Sequence, residues 1–210
     1  MKIIDLSAWE RTAHYQFFRH MDYAQYNMSV NLDITAFIKR LKEENLPFYY
    51  AMIYGATVCI NREEAFRYRI RGEEVILQDR LHPSFTDMPH DSDLFKMVTV
   101  DLEENEKIDT FARKANAQSA VQRESFVRES LMGRDDLIFI TSIPWVSFTH
   151  LSHTISLRSD DAIPRLAWGK YYKEGNQILL PFSVQAHHSF VDGIHMGRYI
   201  NGLQDWLDHG

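Results

Sequence analysis

Apolar and polar positions along the chain change period several times, and each change predicts an element. The clearest pattern is the last. Met196, Tyr199, Ile200, Leu203, Trp206 and Leu207 recur at helical spacing, an apolar stripe along one face. Near the start, Ser7 and Glu10 have the S-x-x-E spacing of a capping box. They predict a helix to about His20 carrying Trp9, Tyr15, Phe17 and Phe18. Residues 27–32 alternate Met28, Val30 and Leu32 with Asn27, Ser29 and Asn31, the period of a half-buried strand. Asp33 suits the N-cap of a helix over 34–44. Pro47 suits the first turn of a third helix reaching about Ile60, apolar almost all round and hence buried.

The middle of the chain is strand-like. Residues 67–71 and 75–77 form a hairpin pattern around Gly72, followed by short strands near 84–88 and 96–102. The polar stretch 104–126, with sparse Ile108, Phe111 and Ala115, predicts an exposed helix. Residues 137–141 are a short β-type run ended by Pro144. Two later strands, 166–172 and 177–188, are joined by the turn Glu174-Gly175-Asn176. Several helices and mostly non-local strands predict α+β layering. With no linker and no repeat, a single domain over 1–210 is expected.

Composition narrows the function classes. Of 210 residues, 45% are hydrophobic and 25% charged, an ordinary globular balance that disfavours global disorder. The formal net charge of −6 removes any general expectation of nucleic-acid binding. Cys59 is the only cysteine, which excludes an intrachain disulfide and a four-cysteine zinc site; within the apolar run 51–60 it reads as a core residue. The N-terminus has no signal-peptide pattern and no window approaches a membrane span, so a soluble cytoplasmic protein with no membrane partner is expected.

The densest titratable cluster is residues 185–195, between the last strand and the last helix. Strand alternation puts Phe182, Val184, Ala186 and His188 on one face, and Ser183, Gln185 and His187 on the other. His188 thus continues an apolar face inward and His187 points to the polar side. An imidazole among apolar groups stays neutral near pH 7, the form a general base needs. Asp192-Gly193 makes a turn into the final helix, where a carboxylate is favoured. Three other readings compete: a core histidine, a turn with a helix cap, and a metal site of His188, Asp192 and His195.

HHSFVDG is also an HHxxxDG motif, and the sequence resembles the chloramphenicol acetyltransferase family over nearly its whole length. IDLSAW with Arg11, NLDITAFIK, LPFYYAMIYG, LHPSFTD, IPWVSFTHL, AWGKYY with LLPFSVQ, and GRYINGLQDW occur in the family's order. The resemblance implies an α/β two-layer sandwich, a mixed sheet with helices on one side, in a homotrimer with active sites at subunit interfaces. It implies direct acetyl transfer from acetyl-CoA to the hydroxyl of a small molecule, with no metal. His188 becomes the general base and Thr141 the oxyanion donor, in place of a serine. Asp192 and Arg11 become a structural ion pair. Lys170, Tyr171 and Tyr49 are placed near CoA, and Phe17, Phe18, Phe95, His153 and Ala167 around the acceptor.

This chain departs from the family pattern at several of these places. Pro47 stands where a lysine near the CoA phosphate is usual, and Phe18 replaces a tyrosine. Ala167 replaces a water-holding threonine, His153 an apolar residue, and Arg128 a pocket phenylalanine. The expectation is acetylation of chloramphenicol or a similar molecule. Alternatives are acetylation of a different small alcohol and a non-catalytic trimeric ligand-binding relative. The same motif occurs in dihydrolipoyl acyltransferases, but no lipoyl domain or Ala/Pro-rich linker is present.

Overall fold

A computed structural model describes residues 1–89, 92–157 and 160–210. A small antiparallel sheet is built from β1 (Lys2–Ile3), β3 (Tyr68–Arg71) and β4 (Glu74–Leu77), in the order β1-β4-β3. The main sheet has the order β2-β10-β8-β7-β5-β6. Its strands are β2 (Gln25–Asp33), β5 (His82–Asp87), β6 (Lys96–Thr99), β7 (Leu137–Ile143), β8 (Arg165–Gly169) and β10 (Gln177–His187). Strand β9 (Tyr172–Glu174) pairs with β10 through the expected tight turn, where Gly175 takes φ +58°. The pairs β5–β7 and β7–β8 are parallel and the others antiparallel, so the sheet is mixed, as expected.

Helices α1 (Thr12–Phe18), α2 (Thr35–Glu43), α3 (Phe48–Arg62), α4 (Ile108–Val121), α5 (Arg128–Leu131) and α6 (Gly193–His209) complete the fold. Register puts Phe85, Ile140, Trp168, Phe182 and Val184 on one sheet face. Rings from α3 and α6 meet that face: Tyr49 lies 6.0 Å from Trp168, and Tyr199 lies 6.3 Å from Phe182. Between α3 and α6 the packing is closest at Gly55, where a Cβ would stand 2.1 Å from the Trp206 ring. Cys59 is buried as expected, and burial pushes its thiol up to about 12. Among the described residues no helix is long and apolar enough to cross a membrane.

Some boundaries move. The Ser7–Glu10 capping box does not form, because Asp5 captures both the amide (2.9 Å) and the hydroxyl (2.7 Å) of Ser7 in a local turn. Helix α1 therefore starts at Thr12 and ends at Phe18. Asp33 does accept at the start of α2, from the Thr35 amide at 2.9 Å. The helix expected over 104–126 contracts to α4, and the strand expected over 166–172 breaks after Gly169. A Cβ at Gly169 would lie 2.7 Å from the Val146 carbonyl, so a loop crosses the strand end there.

The opposite sheet face overturns one expectation. It is polar, yet it is not solvated. Ser183 and Gln185 are fully buried and His187 is 3% exposed. The segment 151–161 lies across it. The Leu151 carbonyl accepts from Asn27 Nδ2 (2.7 Å) and Ser183 Oγ (2.8 Å), and the Asp161 carbonyl accepts from Gln25 Nε2 (2.6 Å). Buried polar groups survive here because neighbouring main chain satisfies them.

Candidate active site

The turn between β10 and α6 holds the first group of expected residues. Strand β10 stops at His187, so His188 does not continue the apolar face inward; its side chain remains 36% exposed. The imidazole stacks on Phe18, with ring centroids 4.2 Å apart and planes at 6°, and Tyr26 packs against it at 4.7 Å. Phe17 meets Phe18 edge-on. His188 Nδ1 lies 3.2 Å from Asp192 Oδ1 without hydrogen-bond geometry.

Arg11 holds this turn together. Its guanidinium donates to both Asp192 oxygens (2.5 and 2.6 Å), to the Ser189 carbonyl (2.7 Å) and to the His188 carbonyl (3.1 Å). The bidentate pair places Asp192 below the usual carboxylate range. A capping box does exist in the chain, at Asp192. His195 Nδ1 accepts the Asp192 amide at 2.9 Å, and the Asp192 side chain caps the His195 amide. His195 is thereby committed to the helix start, and among the described residues no cluster of His, Cys, Asp or Glu suits a metal ion.

A second group lines a cleft of about 740 Å³ at the far end of β7. Its walls include Phe48, Tyr49, Phe95, Trp145, Trp168 and Tyr171, with Thr141 among the polar groups. Lys170 is the one cation among the lining residues and Asp87 the one carboxylate. Tyr49 donates its hydroxyl to the Thr86 carbonyl, and burial pushes that hydroxyl well above its ordinary range. Asp87 accepts the Ser119 hydroxyl. Lys96, buried beside it, donates to the Ser119 and Gln122 carbonyls at the end of α4 (2.5 and 3.3 Å).

The two groups are not brought together within one chain. Thr141 lies opposite Ala167, and Ala167 opposite Ser183. His188 is five residues beyond Ser183 and two strands across, which separates Thr141 and His188 by on the order of 20 Å. Ala167 is fully buried between Thr141 and Ser183, and His153 sits one row further along the same face. The expected acceptor residues are thus divided: Phe17 and Phe18 with His188, Phe95 with Thr141. Arg128 is exposed at the start of α5, outside the cleft lining.

Sequence reasoning missed Tyr26, Phe48, Trp145 and Asp87. Tyr26 had a usable signal, since it stands opposite Ala186 in the β2–β10 register and so flanks the histidine turn. The Asp192–His195 box was hidden because histidine at the third position is not the usual Glu or Gln.

The sequence model for chloramphenicol acetyltransferase matches residues 1–204. A chloramphenicol acetyltransferase from a Klebsiella species is 29% identical over 98% of this chain and 93% of its own length. The Escherichia coli chloramphenicol acetyltransferase 2 is 32% identical over 98% and 96%. Among solved structures, a chloramphenicol acetyltransferase aligns with a TM-score of 0.87 at 25% identity, covering 98% of this chain and 99% of its own. The cubic core of a pyruvate dehydrogenase multienzyme complex has the same fold, with a TM-score of 0.68 at 13% identity over 94% and 86%.

Proposed function

The chain belongs to the chloramphenicol acetyltransferase family, and we propose that it transfers acetyl directly from acetyl-CoA to a hydroxyl of chloramphenicol or a closely similar molecule. In this reading residues 1–210 form one catalytic domain, acting in the cytoplasm as a homotrimer. The observation that carries the assembly is the separation of the two groups. A base must stand within about 3 Å of the proton it removes, and the hydroxyl of Thr141 must reach the same reacting centre. One chain offers each half without the other. Two copies side by side, each lending one half, complete the site.

The chemistry follows from the groups present. His188 takes the proton from the acceptor hydroxyl as its oxygen attacks the thioester carbonyl carbon. Negative charge builds on the carbonyl oxygen, where the Thr141 hydroxyl donates a hydrogen bond. Collapse of the tetrahedral species breaks the C–S bond, and the departing CoA sulfur recovers the proton from the imidazolium. The products are the acetyl ester and free CoA thiol. General-base help contributes roughly 10²–10⁴-fold. Phe18 and Tyr26 set the ring plane of His188, and Arg11 fixes the backbone that carries it. The volume and aromatic walls of the cleft suit an acceptor and a thioester arm, and Lys170 supplies positive charge for a polyanionic donor.

Release of thiol from acetyl-CoA by the purified protein, with and without chloramphenicol, tests this directly. Drug-dependent release that disappears in a folded His188→Ala variant supports it. A folded, fully active His188→Ala variant overturns it.

A further inference from the structure

The cleft walls are mostly aromatic, and such rings give affinity with little polar discrimination. The polar face beside Thr141 supplies something different. His153 is anchored there by its amide, which donates to Gln185 Oε1 at 2.9 Å. Gln185 pairs with Arg165 in the register, one side-chain row from the Ser183–Ala167–Thr141 row. His153 Nε2 is buried and has no hydrogen-bond partner within the chain. The nearest charge is the Arg165 guanidinium, itself occupied by Asp161 Oδ2 (2.7 Å) and the Ile163 carbonyl (2.8 Å). Burial, helped by Arg165, pulls the imidazole down to about 4, so it is neutral near pH 7 and able to donate or accept. A buried polar atom left unpaired carries a desolvation penalty that a ligand group removes on binding.

We propose that His153 Nε2 recognises a second hydroxyl on the acceptor, one other than the hydroxyl acetylated, and so determines specificity. This rests on the acetyl-transfer reading of the Thr141 cleft. It selects acceptors that are at least diols and disfavours simple monohydroxyl ones. The Ala167 methyl cannot make such a contact, which leaves His153 as the polar group nearest Thr141 on that face without an internal partner.

Chloramphenicol carries two hydroxyls, and 1-deoxychloramphenicol lacks one of them. Thiol release from acetyl-CoA is measured with both compounds for the wild type, His153→Leu and His153→Gln, alongside melting temperature and oligomeric state. The wild type is expected to favour chloramphenicol by about tenfold or more in kcat/KM. In His153→Leu that ratio falls to near one, and His153→Gln keeps part of it. An unchanged ratio in His153→Leu overturns the proposal. So does an equal loss on both compounds accompanied by dissociation of the oligomer, which assigns the nitrogen to a subunit contact. Binding titrations with the same two compounds read the ratio without turnover. If neither compound releases thiol with the wild type, the acetyl-transfer reading fails, and the His153 contact stands or falls on the Kd ratio alone.

Discussion

The histidine turn and the Thr141 cleft are built on different principles. The turn is held by charge and hydrogen bonds, with one guanidinium tying a carboxylate and two carbonyls. The cleft is held by packed rings and by strand register, and its hydroxyl is placed by the parallel pairing of β7 with β8. A base must be aimed, so its backbone is clamped. A cleft must accept a bulky molecule, so its walls are apolar and leave space.

The largest expected effect separates the two by chemistry. His188→Ala should lower kcat/KM by about 10³–10⁴-fold and Thr141→Val by about 10²–10³-fold, both with an unchanged circular dichroism spectrum. Equal small losses would erase the distinction between base and oxyanion donor. Mixing sharpens it further. Neither variant alone turns over, but co-expressed in equal amounts they should assemble into trimers with about a quarter of the wild-type sites intact, provided the halves come from different chains. Activity of the purified mixed trimers that stays at background would place both halves in one chain.

How much of this was legible beforehand differs between the two regions. The HHxxxDG turn could be read from residue types alone, because His, Asp and Gly at fixed spacing are rare by accident. So could the final helix, whose stripe depends only on local periodicity. The position of Phe18 and Tyr26 around the imidazole could not, since ring stacking depends on where α1 and β2 cross the end of β10. The inward reading of His188 failed for a related reason: alternation assigns faces only while a strand lasts, and β10 ends one residue earlier. Alternation also treats a polar face as wet, whereas the segment 151–161 covers this one. Ser7 shows the same limit on a smaller scale, because a competing acceptor two residues away outweighed the capping signature.

Arg11→Met tests the clamp through stability. Removing one partner of a largely buried pair typically costs about 3–5 kcal/mol, which chemical denaturation would read as a lower midpoint. A change under about 1 kcal/mol would mean the turn is rigid without it. The smallest effect concerns pH. His153 has its folded value lowered from 6.5 to about 4, so the unfolded chain takes up the proton first. Its contribution is complete above pH 6.5 and is lost as pH falls from 6.5 to 4, up to roughly 3 kcal/mol. His195, lowered chiefly by burial, acts in the same direction. Urea titrations at pH 7 and pH 4.5 should therefore differ, and His153→Leu should flatten the difference. An identical acid limb in the variant would remove His153 as its source.

The Arg11 clasp also sets an order in time. It joins groups 177 to 181 residues apart, so closing it demands a loop almost as long as the protein. A ribosome releases the N-terminal half of the clasp early and the histidine turn nearly last. Until α6 has emerged and docked, the N-terminal helix has nothing to grip, and the chain can be mostly folded yet catalytically silent. Competence arrives late in synthesis, when the two ends of the chain meet.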